Sequence, residues 1–212
     1  NREWVTQAFS ETKVPSPEIT DSIPEIDQIV ERAHAAQKQW AHTSWATRRV
    51  ALAQVAEVME ARRGATLAVM ARSVGKTARE GDPEISEAID FANYAAHSTL
   101  SHEAFISQGL TWEPHRLVLV AGPWNFPAAI PNNGLVSAIA AGSAAILKPA
   151  PEARAVAAEL VDQLHEAGIP QDLVQLVCTP DNEVGTHLVT HPGVDMVMLT
   201  GSIDTARMFQ QW

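Results

Sequence analysis

One run of the sequence combines an apolar strand with residues that could do chemistry at its end. Residues 117–127 read Leu-Val-Leu-Val-Ala-Gly-Pro-Trp-Asn-Phe-Pro. The apolar part predicts a short buried strand, which Gly122 and Pro123 break. Proteins that alternate strands with helices bind ligands where such strands end. Backbone amides of this turn and the side chain of Asn125 could donate hydrogen bonds to an oxygen that gains negative charge. By itself, Asn125 could equally cap the next segment or satisfy a turn.

Lys148 and Ser202 follow two other apolar runs, 144–147 and 194–199. A strand-end lysine can bind hydroxyl groups of a ligand, and helix amides with a serine hydroxyl suit a pyrophosphate. Each residue also has a simpler interpretation. Lysines at strand ends are commonly solvated, and serine is an ordinary N-terminal helix cap.

Three further candidates have interpretations without chemistry. Cys178, the only cysteine, ends an apolar run, and we interpret it as a buried structural thiol rather than a nucleophile. His187 and His191 have helical i, i+4 spacing, but no glutamate stands between them and no third ligand is nearby. We therefore predict surface histidines and no metal site. The acidic stretch 80–90 predicts a solvated helix face.

The first half of the chain predicts helices that would support these residues. Residues 1–24 predict an irregular arm that could hold one short strand. Beyond it, apolar residues recur at helical spacing, Ser44 can cap a helix, and Gly64 and Gly75 can end helices. The predicted helices cover 26–41, 44 to about 63, 65–74 and 80 to about 100.

After residue 113 the pattern changes to short apolar runs separated by helical segments. Strands are predicted at 117–121, 144–148, 173–178 and 194–199, and helices at 134–141, 152–167 and 183–190. This alternation predicts parallel βαβ units and an α/β fold. We divide the chain into a helical region, 1–113, and a Rossmann-like portion, 114–212. The last predicted helix is cut short at Trp212 and four strands leave an open edge, so we expect a C-terminal part beyond this chain.

The composition of the chain excludes some classes of partner. Of its 212 residues, 46% are hydrophobic, which is enough for a core, and the net charge is −10. This charge argues against nucleic acid or an anionic membrane as the main partner. No apolar run has the length that a membrane span needs. One cysteine cannot form an internal disulfide, which fits a reducing compartment, and we expect a cytoplasmic protein.

Three segments together resemble the aldehyde dehydrogenase superfamily. Gly122-Pro123-Trp124-Asn125-Phe126-Pro127, Leu147-Lys148-Pro149-Ala150 and Leu199-Thr200-Gly201-Ser202 occur in this order, each at the end of a predicted strand. The resemblance extends over essentially the whole chain, which is similar to the N-terminal part of that family. A Gly-x-Gly-x-x-Gly motif is absent, but the family binds its dinucleotide without one.

A narrower resemblance involves residues 71–77, 82–91 and 201–207. These segments look like the Δ1-pyrroline-5-carboxylate dehydrogenase branch, which includes the aldehyde dehydrogenase module of bifunctional proline-utilisation proteins. The resemblance implies oxidation of L-glutamate γ-semialdehyde to glutamate in proline catabolism. It implies NAD as cofactor, without excluding NADP. The implied parent is a homo-oligomer that could be fused to a proline dehydrogenase domain.

The resemblance also implies roles for individual residues. In this family a cysteine thiolate attacks the aldehyde, the oxyanion is stabilised, hydride passes to the nicotinamide, and water hydrolyses the thioester. Asn125 matches the oxyanion-stabilising asparagine, Lys148 the lysine that binds the adenosine ribose, and Ser202 a phosphate contact. The cysteine and a general-base glutamate are expected beyond Trp212, so we predict that this chain alone is inactive.

The cofactor site implied by the resemblance has one departure from the family pattern. A glutamate often stands three residues after the lysine and binds the ribose 2′-hydroxyl, but here Pro151 occupies that position and Glu152 follows it. Gly185 could allow close approach of the adenine end, or could simply loosen a helix start. The full implied set is Gly122, Pro123, Trp124, Asn125, Lys148, Ala150, Glu152, Gly185, Thr200, Gly201, Ser202 and Thr205.

Two other functions are compatible with the sequence. One is a dinucleotide-binding or assembly module without catalysis, which the missing nucleophile would support. The other is a dehydrogenase for another aldehyde, such as succinate semialdehyde. A coding continuation that carries a cysteine in a loop rich in glycine and glutamine would select an enzyme over a module.

Overall fold

Helices form the first part of the chain in the computed structural model, which describes residues 2–212 apart from the side chains of residues 2, 4 and 5. Ser44 caps the third helix by accepting a hydrogen bond from the Thr47 amide. Thr77 and Glu80 form a reciprocal capping box at the start of the fifth helix. The helices are α1 (Arg2–Glu11), α2 (Ile23–Ala41), α3 (Trp45–Ala61), α4 (Arg63–Val74) and α5 (Ala78–Ser107).

The prediction of an irregular arm over residues 1–24 was wrong for α1. Residues 2–11 are helical, and no strand occurs in the described part of this segment. The guanidinium group of Arg72 on α4 donates hydrogen bonds to the carbonyls of Phe9 and Thr12 at the end of α1. A cation at this position stabilises the carbonyl end of a helix. This support comes from a residue 60 positions away in the sequence.

The break between α3 and α4 also differs from the prediction. It falls at Arg62, and Gly64 lies inside the first turn of α4 rather than ending α3. The guanidinium group of Arg62 pairs with Glu159, Asp162 and Glu166. These carboxylates lie on a later helix (Arg154–Glu166) and fix the position of the break between α3 and α4. The sequence around residue 62 does not indicate them.

A parallel four-stranded sheet with the order β3-β2-β1-β4 confirms the predicted α/β fold. The chain runs outward from β1 to β3 and then returns to the other side of β1. At such a switch point a crevice for a ligand lies outside the carboxyl ends of the strands. The strands are β1 (Leu117–Gly122), β2 (Ala144–Pro149), β3 (Val174–Leu176) and β4 (Met196–Leu199). The connecting helices are α6 (Ala129–Ala141), α7 (Arg154–Glu166), α8 (Glu183–Thr190) and α9 (Ile203–Gln211), with a 3-10 turn at Pro151–Ala153.

One hydrophobic core joins the helical region to the sheet. Leu119 and Ile146 of the sheet are fully buried, and so is Leu52 of α3. They belong to the same cluster of buried side chains. The division at residue 114 therefore separates two patterns of secondary structure that share a core, and its interpretation as a domain boundary stays a prediction. No helix within residues 2–212 is long and apolar enough to cross a membrane.

Candidate functional site

A cleft of about 560 Å³ opens at the carboxyl ends of β1, β2 and β4. This volume lies in the range of small-molecule sites. Its lining includes every residue of the predicted set except Glu152 and Gly185. The lining residues from that set are Gly122, Pro123, Trp124, Asn125, Lys148, Ala150, Thr200, Gly201, Ser202 and Thr205.

The turn after β1 carries Asn125 into the cleft. Asn125 is exposed, and its side chain has no hydrogen-bond partner among the described residues, so its amide group is free to donate to a ligand. Trp124 is 56% exposed and lines the cleft, so it is not a core residue. Gly122 permits close packing, because a Cβ atom there would lie 2.6 Å from Cγ of Pro131 on α6.

Glu84 on α5 holds the end of this turn. One oxygen of its fully buried carboxylate accepts hydrogen bonds from the backbone amides of Ala128 (2.8 Å) and Ala129 (3.2 Å). The other oxygen pairs with Lys76, whose Nζ also lies 4.1 Å from the ring centroid of Phe126. The prediction of a solvated acidic face was therefore wrong at Glu84.

The opposite end of α6 is held by a buried cation. The Arg48 guanidinium group donates to the carbonyls of Ala41 (2.9 Å) and Ala140 (3.4 Å), close to Gly142, which ends α6 with a φ of 99°. Burial lowers the pKa of Arg48. Helix α6 thus carries a negative partner at its amino end and a positive partner at its carboxyl end, as the helix dipole favours.

Lys148 enters the cleft from the end of β2. Its side chain is 10% exposed, and Nζ lies 3.4 Å from a carboxylate oxygen of Asp181. Asp181 lines the cleft but was missed in the sequence. Its place directly after the third apolar run and Thr179-Pro180 was a usable signal, because ends of parallel strands meet at one edge of a sheet.

The start of α9 forms the opposite wall. Ser202 accepts a hydrogen bond from the Thr205 amide at 3.0 Å, so the ordinary capping role is present in the structure. The Thr200 amide donates to the carbonyl of Ala121, which extends the pairing of β4 with β1. A Cβ atom added at Gly201 would meet no described heavy atom closer than 3.7 Å, so packing within the chain does not require glycine there.

Glu152 and Gly185 lie outside the cleft lining. Glu152 is exposed on the 3-10 turn. Gly185 is buried in the first turn of α8, where a Cβ atom would lie 2.5 Å from the carbonyl oxygen of Pro180. Close approach of backbone to backbone accounts for this glycine, and its proximity to the adenine end stays a prediction.

The sequence pattern of the aldehyde dehydrogenase family matches residues 11–211. The chain belongs to the aldehyde dehydrogenase family. It is 32% identical over 192 residues to N-succinylglutamate 5-semialdehyde dehydrogenase from Sphingopyxis alaskensis, an alignment covering 86% of this chain and 40% of that protein.

Solved structures show the same aldehyde dehydrogenase fold. Proline utilization A from Corynebacterium freiburgense is 38% identical with a TM-score of 0.84, over 99% of this chain and 21% of that chain. A 1-pyrroline-5-carboxylate dehydrogenase from Thermus with bound NAD is 26% identical with a TM-score of 0.86, over 99% and 48%. The chain spans less than half the length of the curated relatives it matches.

Several features of this aldehyde dehydrogenase cleft fit a dinucleotide. Gly201 is exposed beside the start of α9. The backbone amides of Ile203 and Asp204 have no acceptor among the described residues, so they can donate hydrogen bonds to a phosphate oxygen. Lys148 and Asp181 add one donor and one acceptor for hydroxyl groups.

Cys178 lies outside this aldehyde dehydrogenase cleft and is only 2% exposed. Burial raises the pKa of its thiol, against the opposing effect of Arg154 and Lys148. A buried thiol with a raised pKa is a poor nucleophile. The prediction of a structural cysteine agrees with this environment.

The prediction that no third ligand accompanies His187 and His191 was wrong. Helix α2 brings Asp27 within 2.6 Å of His187 Nε2 and 3.2 Å of His191 Nε2. The hydrogen bond from His187 lowers the pKa of Asp27. The Gly193 amide donates to His191 Nδ1, so the proton of the neutral ring lies on Nε2, toward Asp27. Metal-binding histidines have the reverse arrangement, so the contacts indicate a hydrogen-bonded link between α2 and α8.

Proposed function

We propose that this chain is part of an NAD-dependent aldehyde dehydrogenase that oxidises L-glutamate γ-semialdehyde. One observation carries the proposal: a single cleft at the switch point of the sheet collects Asn125, Lys148 and the start of α9. The likenesses to proline utilization A and to a 1-pyrroline-5-carboxylate dehydrogenase support the choice of aldehyde.

Within this reaction, Asn125 would donate a hydrogen bond to the aldehyde oxygen as that oxygen becomes negative. The donor is free, exposed and mounted on a turn whose far end is held by Glu84, so it needs no large rearrangement to act. When bound, the nicotinamide cofactor accepts the hydride of the aldehyde carbon. Cys178 cannot supply the nucleophile from its buried position, so we place the nucleophile in a part of the protein outside this chain.

The preference for NAD rests on Asp181. A carboxylate beside Lys148 can accept hydrogen bonds from ribose hydroxyls, but it repels a 2′-phosphate. Glu152, the other nearby acid, lies outside the cleft lining. Asp181 would therefore distinguish NAD from NADP, a preference that the sequence left open.

The aldehyde is tested with the full-length protein that carries this chain. We expect NADH formation with L-glutamate γ-semialdehyde, and a kcat that falls on the order of 10²-fold in Asn125→Ala. Asn133→Ala, on the exposed face of α6, is the matched control and should leave kcat unchanged. Absence of NADH with this aldehyde, but turnover of succinate semialdehyde or N-succinylglutamate 5-semialdehyde, would overturn the substrate assignment.

Cofactor choice is tested by measuring Kd for NAD and NADP on the same protein by calorimetry. In Asp181→Asn, we expect the ratio of the two Kd values to shift about tenfold toward NADP, because loss of a nearby charge removes the repulsion of the 2′-phosphate. Glu152→Gln removes an equal charge outside the cleft and should leave the ratio unchanged. Equal shifts in both variants would show a general charge effect instead.

For the isolated chain we propose no dehydrogenase activity and weak binding of NAD. Its only thiol is buried, and the wall formed by β4 and α9 has no buried residue. Turnover by the purified 212-residue chain would refute this. A protein with the cleft and no turnover of any aldehyde would instead be the dinucleotide-binding or assembly module.

The proposal also includes the compartment, the oligomeric state and a possible fusion of the protein. We place the protein in the cytoplasm, as a homo-oligomer that could be fused to a proline dehydrogenase domain. The likeness to proline utilization A supports the fusion. Cell fractionation and the mass of the native assembly test these three points.

A further inference from the structure

We propose that Glu84 and Lys76 are positioning residues that hold the turn of Asn125 in its productive conformation. The inference rests on the proposed function, because it assigns these residues to the same oxyanion donor. Neither side chain lines the cleft. They would act through the backbone of the turn.

Residues 123–127 have few restraints of their own. No hydrogen bond from their backbone or side chains to another described residue occurs in the structure. Before them, Gly122 is tied to the sheet, since its carbonyl accepts a hydrogen bond from the Ala150 amide at 3.2 Å. After them, the chain enters α6 at Ala128. Apart from the φ angles that Pro123 and Pro127 fix, the conformation of the turn therefore depends on how firmly these two ends are held.

Glu84 holds the second end. Ala128 is the N-terminal cap residue of α6, and it has no side-chain oxygen that could accept the free amides of the first turn. The carboxylate of Glu84 supplies the missing acceptor from α5. Both amides are buried, since Ala128 and Ala129 are at most 1% exposed. Without Glu84, these two buried amides would lose their acceptor, and solvent water could not reach them to replace it.

Lys76 connects this clamp to the middle of the turn. Its ammonium group pairs with the buried Glu84 carboxylate and lies over the ring of Phe126, the residue after Asn125. A cation over an aromatic face is attracted by the ring electrons. One cation thus neutralises the clamp and restrains the neighbour of the oxyanion donor. A second link between α5 and α6, from Asn132 to the Ala88 carbonyl, fixes the distance between the two helices.

The first test compares Glu84→Gln and Glu84→Ala with the exposed Glu87→Gln on the same helix, in the full-length protein. Misplacement of a reacting group by about 1 Å costs up to 10²-fold in rate. We expect kcat to fall about tenfold in Glu84→Gln and more in Glu84→Ala, with KM within about threefold of the original. Glu87→Gln should match the parent. A change in KM alone would overturn the proposal.

A double variant separates positioning from mere stability. If Glu84 acts through Asn125, Glu84→Ala should lower kcat by less than about threefold in an Asn125→Ala background, because coupled residues are not additive. Arg62→Ala breaks the distant ion pairs with α7 and serves as the control for general destabilisation, with lower Tm and unchanged kcat. Additive losses, or an equal loss of kcat in Arg62→Ala, would refute the positioning role.

Hydrogen exchange keeps this inference distinct from the proposed function. The amides of Ala128 and Ala129 should exchange at least tenfold faster in Glu84→Ala than in the parent, while amides of β2 stay unchanged. This result is expected even if the protein turns over no aldehyde, in which case only the proposed function fails. Unchanged exchange at both amides would show that Glu84 does not hold the turn.

Discussion

The two walls of the cleft are built in different ways. On one side, every residue of β1 and β2 is buried, and helices cover both strands. On the other side, Met196 at the start of β4 is 37% exposed, and α9 has no buried residue. Core packing therefore positions Asn125 and Lys148, whereas strand pairing and one helix cap position Ser202. Regions with little burial open locally at lower free energy, so within the 212-residue chain the second wall should be the more mobile.

The largest expected difference between the walls concerns side-chain truncation. Ile146→Ala in β2 should lower the free energy of unfolding by about 3 kcal/mol, because it opens a cavity in a fully buried strand. Val197→Ala in β4 should cost about 1 kcal/mol, since Val197 is only partly buried. Urea unfolding of the 212-residue chain, to which these burial values apply, measures both. Equal costs would mean that the two walls are equally well packed there.

One glycine in each wall, Gly122 and Gly201, tests the same difference in packing. Gly122→Ala should cost about 2 kcal/mol, because the new Cβ atom would press on the rigid ring of Pro131. Gly201→Ala should change stability by less than about 0.5 kcal/mol, because the new Cβ atom would make only ordinary van der Waals contacts, with Leu199 at 3.7 Å and Thr205 at 3.9 Å. The same variant should raise the Kd for NAD severalfold. A stable Gly122→Ala protein would show that α6 can move away from β1.

The smallest expected effect concerns the amino end of β4. Asp195 accepts hydrogen bonds from the side chain and backbone of Arg116, and these bonds lower the pKa of Asp195. A carboxylate whose folded pKa is lowered stabilises the protein above its unfolded pKa, about 3.9. That contribution is lost as the pH falls through the lower, folded pKa.

The stability difference between the parent and Asp195→Asn should therefore be about 1 kcal/mol near pH 7 and shrink below pH 3.9. Thermal unfolding across this pH range measures the difference. Asp204→Asn, at the exposed start of α9, is the control and should behave like the parent. A difference that persists unchanged at pH 3 would show that the Asp195 contacts do not depend on its charge.

The predictions that held depend on local pattern. The apolar runs predicted four parallel strands, and the turn residues after three of them line one cleft. Boundaries were less accurate where distant groups decide them. Arg72 on α4 supports the end of α1, and Arg62 at the end of α3 pairs with carboxylates on α7. In both cases the partner lies far away in the sequence, so the local pattern does not show it.

The sequence alone therefore determined the family, the order of strands and helices after α1, and the identity of Asn125, Lys148 and Ser202 as candidates. Each depends on residue types within a few positions of one another. Only the tertiary structure decided that Glu84 caps α6 and that Asp181 meets Lys148. Hydrogen bonds and charges act over a few ångströms in space, and the fold alone brings residues that are 33 to 44 positions apart to that distance.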